Sequence, residues 1–249
     1  MKLVKYILVG LTLLLSTNIF AGSVIYWYLA ASMAKPGTEI VQQFNKDNKS
    51  FQVILMLGGS GELLSKIQAS HKGDIYTPAS KFFLQKAEKL NLVKSYKKLL
   101  IQYPVFGLSK KLKNKKLTFN DIINGKYKLA VGNPKTMALG QTYIEMKKKM
   151  GPEISAKLKK NEAVYALNVS QDINYVLSGV VDAGLMYNTD ATANNINYVS
   201  IPDKYNIPAA AYLATLNTST SDKNVKLFEN YIYKNSVVFK KFGFNLVTK

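Results

Sequence analysis

The chain has 249 residues and a formal net charge of +19; all 34 basic residues are lysine, arginine and cysteine are absent, and histidine occurs once, at His71. Disulfides, a lipid-modified cysteine and zinc sites of the cysteine/histidine type are thereby excluded. A Ser-His-Asp triad would need His71, which lies in a polar turn with Lys72 and Gly73, away from any nucleophile elbow. The lysines are scattered through nearly every segment, which reads as solvated surface that can steer anions; arginine forks for nucleic-acid readout are missing.

At the N-terminus Lys2 and Lys5 precede an apolar stretch, Tyr6 to Leu15, and Ser16 to Ala21 reads as a cleavage region. This predicts a secretory signal peptide over residues 1–21, cut after Ala21. Ile19 is not the small residue usual at its place, so an uncut anchor is the alternative. The remaining stretch of about 228 residues suffices for one large domain or two lobes. No later segment approaches the roughly 18 apolar residues of a membrane helix.

Strands and helices then alternate, the signature of an α/β fold with mainly parallel sheets. Val24 to Ala30 is a strand, Thr38 to Asn45 a helix and Phe51 to Leu57 a strand. A helix over Glu62 to Ser70, a short strand at Ile75-Tyr76 and a helix over Lys81 to Leu90 follow. Gln102 to Leu108 is extended, and the lysine-dense segment 110–116 is a solvated loop. A second unit comprises a strand at Tyr127 to Val131, a loop from Gly132 to Gly140 and a helix from Gln141 to Met150 ended by Gly151-Pro152. It continues with Val164 to Leu167, a helix over Gln171 to Leu177 and a strand over Ala183 to Met186. Residues 201–208 read as a return linker, Ala210 to Leu216 as a strand and Val225 to Asn235 as the last helix.

One run stands out in this sequence. Gly58-Gly59-Ser60-Gly61 joins a strand to a helix: glycine permits close approach of the backbone, the new helix presents unpaired N–H groups and a positive dipole end, and Ser60 adds a hydroxyl. A turn with a helix cap explains the same run equally simply. Five segments, however, share the design: Ala30-Ala31-Ser32, Gly58 to Gly61, Asn133 to Gly140, Asn168-Val169 and Gly184 to Asp190. Loops at the carboxyl ends of strands in two facing sheets can converge on one cleft, and these offer mostly neutral donors. Each residue also has a structural reading: Ser32 and Ser60 as caps, Tyr187 as a core tyrosine, Leu139 and Val169 as packing. Asp74, Asp182 and Asp190 are the carboxylates near these loops, with Asp74 and Asp190 expected to cap turns. Lys35, just after Ser32, is either a nearby charge or solvent-facing.

In these segments, together with Gly73-Asp74-Ile75-Tyr76 and Gly184-Leu185-Met186-Tyr187-Asn188-Thr189-Asp190-Ala191, the chain resembles the molybdate-binding periplasmic proteins of ABC transporters, a branch of the type II periplasmic solute-binding proteins. The resemblance runs nearly end to end. It implies a two-lobed fold with hinge crossings, lobe 1 over 24–104 and 209–249 and lobe 2 over 105–208. It further implies an oxyanion, molybdate or tungstate, held by the hydroxyls and amides of Ser32 and Ser60, the amides near Leu139 and Val169, and the Tyr187 hydroxyl. No metal would be coordinated directly, no cofactor used and no reaction catalysed. The implied partners are the oxyanion and a membrane permease, with no nucleic acid, for a monomer in the periplasm. Ala138-Leu139-Gly140 departs from the family's usual Pro-Ala-Gly, which leaves the loop register open by one residue. The alternatives are another small oxyanion, sulfate or thiosulfate, on the same fold, or a secreted lysine-rich polyanion-binding or adhesion protein.

Overall fold

A computed structural model describes residues 23–247; the expected signal peptide lies outside them. The first half of the chain builds β1 (Ser23–Ala30), a 3-10 turn (Ala31–Met33), α1 (Ala34–Asp47), β2 (Phe51–Gly58), α2 (Ser60–Ser70), β3 (Ile75–Thr77), α3 (Lys81–Lys89) and β4 (Val93–Gln102). After Tyr103 come β5 (Pro104–Leu108), α4 (Phe119–Asn124), β6 (Leu129–Gly132), α5 (Ala138–Asn161), β7 (Glu162–Ala166), α6 (Val169–Leu177), β8 (Ala183–Tyr187), α7 (Asn188–Ala193) and β9 (Tyr198–Ser200). The chain closes with β10 (Ala209–Leu216), α8 (Asp222–Lys234), α9 (Val237–Lys241) and β11 (Asn245–Leu246).

These strands form two sheets, in the orders β11-β4-β10-β3-β1-β2 and β7-β6-β8-β5-β9. The chain leaves the first sheet between Gln102 and Pro104 and returns to it between Ser200 and Ala209. The expectation of mainly parallel sheets holds for β1 with β2 and β3, and for β6 with β7 and β8. Strands next to the crossings instead pair antiparallel, β10 with β3 and β4, and β5 with β8 and β9. The parallel strands are joined by helical crossovers and so release their carboxyl ends, with new helix starts, on one side of each sheet.

Apolar alternation builds each core. In β1, Ile25, Trp27 and Leu29 are fully buried; Trp27 lies edge-on to Phe228 at 5.4 Å, and Phe228 to Phe44 at 4.8 Å, an arrangement aromatic quadrupoles favour. The Trp27 indole is satisfied by Thr77 Oγ1 at 2.8 Å. The second core gathers Phe106, Leu129, Val131, Leu139, Met146, Leu185 and Met186.

Several boundaries differ from the sequence reading. β4 is a ten-residue strand of which only Gln102 was expected to be extended. Its run Lys94, Lys97 and Lys98 is exposed at one end while Leu99, Leu100 and Gln102 are buried at the other. α1 begins four residues earlier than predicted and tolerates Pro36 in its first turn. α5 starts at Ala138, so the preceding loop ends at Met137, and a second helical stretch follows the kink at Gly151, whose φ is +82°. Pro152 there opens the new stretch, where its missing N–H costs nothing.

Candidate functional site

Four of the five residues singled out in the sequence open helices, and the fifth stands immediately before one. Ser32 lies in the 3-10 turn that leads into α1, Ser60 opens α2, Leu139 is the second residue of α5, Val169 opens α6 and Tyr187 directly precedes α7. First-turn amides of a helix have no partner within it, and the aligned peptides make that end positive. The structure brings all five together around one cavity, lined also by Ala30, Gly58, Gly59, Ala79 and Met137. The cavity is small, about 10 Å³, which is room for about one water-sized sphere. None of the five is more than 7% exposed.

The hydrogen-bond directions show what this cavity offers. Ser60 Oγ accepts from the Ala79 amide at 3.1 Å, and Ser32 Oγ accepts from Gln102 Nε2 at 3.1 Å. Each serine oxygen already receives a proton from the protein, so its own O–H is directed elsewhere, as a donor. The Tyr187 hydroxyl is buried with no protein partner among the described residues. Burial, and secondarily the Asp190 carboxyl, push its pKa above the ordinary tyrosine value, so it too stays protonated and donating. An orphaned buried hydroxyl carries a desolvation cost that a ligand oxygen would remove.

The glycines serve the approach of the two sheets. Gly61 N donates to Thr136 O across the cleft at 2.8 Å, and Glu62 N to the same carbonyl at 3.4 Å. A Cβ on Gly59 would overlap the carbonyl oxygens of Thr136 and Leu167, and one on Gly61 that of Lys135. The start of α2 therefore lies directly against the loops that precede α5 and α6. Glu62 closes the other end of this turn, accepting from Gly59 N at 3.2 Å and from Lys66 at 2.7 Å. Burial opposes its ionisation, but these two bonds outweigh it and hold the carboxyl below its usual pKa.

Lys35 is exposed along its stem, yet its ammonium donates to the Ala193 carbonyl at the end of α7. It lines a second cavity of about 210 Å³ with Pro36, Asn174, Asp190 and Phe244. Asp190 and Asp172 lie buried behind Tyr187; Asp190 Oδ2 and both oxygens of Asp172 have no protein partner among the described residues. Burial raises both pKa values, Asp190 adding to the effect on Asp172, while the Tyr187 amide and Lys35 partly oppose it at Asp190. Asp74 and Asp182 are structural: Asp74 accepts from Tyr26 N and Ser219, Asp182 from Lys128 N. His71 caps α2 in the left-handed region, φ +49°. Among the described residues no group of three or more histidine and acidic side chains is placed to hold a metal ion.

Sequence reasoning missed Gln102 and Asp172, and took in Thr189 only as part of the Gly184 to Asp190 segment. The partners of Gln102 lie far away in the chain, and the burial of Asp172 is set by strands distant in sequence.

The profile of the bacterial extracellular solute-binding protein family matches residues 25–245. The chain belongs to that family. Family membership assigns it an extracytoplasmic, solute-binding role. A curated relative from Bacillus subtilis, named "Putative ABC transporter substrate-binding lipoprotein YvgL", is 26% identical over 226 residues, covering 86% of this chain and 84% of the relative. Among solved structures, the periplasmic molybdate-binding protein of Azotobacter vinelandii superposes with a TM-score of 0.77 at 18% identity, covering 90% of this chain and all of that one. The sulfate-binding protein SubI of Mycobacterium tuberculosis reaches the same TM-score at 15% identity, covering 90% and 87%. At these identities the likeness to solved structures shows the fold, the two-lobed periplasmic binding protein architecture.

Proposed function

We propose that this solute-binding protein captures a tetrahedral oxyanion, molybdate or tungstate, in the periplasm and hands it to the membrane permease of an ABC importer, without catalysing a reaction. The observation that carries this reading is a cavity lined by buried hydroxyls with protons to donate and by helix starts. Ser32 and Ser60 each have an oxygen already engaged as acceptor and a hydroxyl left to donate, Tyr187 brings an unpartnered hydroxyl, and the helix starts beside the cavity add positive dipole ends from both sheets. Dispersed partial charges can balance a dianion without lysine or arginine. A cavity with room for about one water-sized sphere leaves no space for an extended organic solute, and the resemblance of the loop sequences to molybdate-binding proteins points to molybdate or tungstate among the compact ions.

Residues 1–21, as a signal peptide, would deliver the chain to the periplasm. The two lobes would be 24–104 with 209–249, and 105–208, and the crossings at Tyr103 and within 201–208 would act as the hinge. A cage biased toward donors also discriminates by protonation: molybdate, tungstate and sulfate bring no proton at neutral pH, whereas hydrogen phosphate brings one that must take a donor's place. Sulfate is therefore the rival within this fold, and cavity radius separates the two. Family membership favours transport over the polyanion-binding or adhesion alternative.

Thermal-shift measurements with molybdate, tungstate, sulfate, thiosulfate and phosphate, each at low and high sodium chloride, test the reading. Stabilisation by molybdate and tungstate that survives salt is the expected result, since a buried site is poorly screened. Stabilisation by none of these anions would overturn it.

A further inference from the structure

Ser32 can serve an anion only if its hydroxyl donates, and a serine hydroxyl left to itself will as readily accept. What fixes its direction is a buried chain of side chains that runs between the two sheets. Gln102, the last residue of β4, places Nε2 3.1 Å from Ser32 Oγ, and its Oε1 accepts from Thr189 Oγ1 at 3.3 Å. All three residues are buried, Gln102 completely. Thr189 belongs to the first turn of α7, two residues after Tyr187, and Gln102 immediately precedes the crossing at Tyr103. Tyr103 and Asn188 are themselves doubly bonded, Tyr103 N to Asn188 Oδ1 and Asn188 N to Tyr103 O. The amide is thus held from the α7 side on one end and aimed at Ser32 on the other.

We propose that Gln102 is a positioning residue that fixes the Ser32 hydroxyl as a donor to the ligand, and that the Thr189-Gln102-Ser32 chain makes this donor dependent on the seating of α7 against the end of β4. The inference rests on the oxyanion reading above. It assigns a role to a residue that does not line the cavity: with Gln102 donating, one lone pair of Ser32 Oγ is engaged and its proton is left for the ligand, so the chain favours ligands that accept over those that donate.

The test compares calorimetric molybdate affinities of Gln102→Glu and Gln102→Met with the wild-type protein. A glutamate has nearly the same shape but, when ionised, can only accept; it draws the Ser32 proton away from the ligand. The expected loss at pH 8 is roughly 10- to 100-fold, recovering as the pH falls toward about 5.5 and the buried carboxyl gains a proton it can donate. The Gln102→Met variant carries no charge and no donor; its loss should largely vanish in a Ser32→Ala background, since both changes remove the same interaction. If Gln102→Glu fails to fold, the methionine cycle decides alone. Wild-type affinity in both variants, a deficit in Gln102→Glu that ignores pH, or a Gln102→Met loss that adds in full to that of Ser32→Ala would each overturn the proposal. A wild-type protein that binds none of the oxyanions would instead overturn the reading beneath it.

Discussion

Gly61 N donates to Thr136 O at 2.8 Å, so the first turn of α2 and the loop before α5 are hydrogen-bonded backbone to backbone across the cleft. This contact exists because no side chain intervenes. At Gly59 a Cβ would overlap the carbonyls of Thr136 and Leu167, both on the opposite side. Gly59→Ala is therefore expected to hold the cleft slightly open, lowering oxyanion affinity by about 10-fold or more, a larger effect than on unfolding stability. Calorimetry and thermal unfolding, run together, separate the two effects; equal losses in both would mean the glycine matters only to the fold.

Lys35 ties the opposite rim of the cleft. Its ammonium donates to the Ala193 carbonyl at the end of α7 and its charge partly offsets the burial of Asp190. Lys35→Met keeps the apolar stem and removes the tie. A several-fold loss of affinity, about 3- to 10-fold, of the same size in titrations at low and high ionic strength is the expected outcome, since the tie runs to a neutral carbonyl and the site is poorly screened.

The buried Asp172 carboxyl makes stability depend on pH. Its pKa is raised by burial and by Asp190, so the folded protein keeps it protonated over a range where the unfolded chain ionises it. Stability from this group is complete below the unfolded value, about 3.9, and is lost progressively as the pH rises toward the folded value. Asp172→Asn removes that slope. Its melting temperature relative to wild type should be higher at pH 8 than at pH 5, and parallel melting curves across that range would contradict the assignment.

Much of this arrangement is legible in the sequence because its signals are local. A strand followed by small residues and an apolar helix can be recognised within ten residues, which is how five such segments stand out; the resemblance to molybdate-binding proteins then picks out Leu139 and Val169 beside Ser32, Ser60 and Tyr187, and the structure gathers all five around one cavity. Gln102 shows the opposite case. It ends a strand whose exposed lysines mask the alternation, and its partners Ser32 and Thr189 are 70 and 87 residues away. Asp172 looks like an ordinary polar residue in the first turn of α6, and only the closeness of Gly184 in β8 reveals that it is buried. The helical stretch after Gly151 was hidden because Gly-Pro stops one helix and permits another to begin, and the sequence does not say which.

The central claim is that the buried hydroxyls of Ser60 and Tyr187, one from each sheet, donate to a single small oxyanion. Calorimetric titration of the protein lacking residues 1–21 with molybdate, repeated on Ser60→Ala and Tyr187→Phe, tests it most directly. Submicromolar binding at one site per chain is predicted, weakened roughly 10- to 100-fold in each variant, since each loses a hydrogen bond to a charged group. Absence of submicromolar binding to molybdate or tungstate, or variants that bind as tightly as the unaltered protein, would contradict the account.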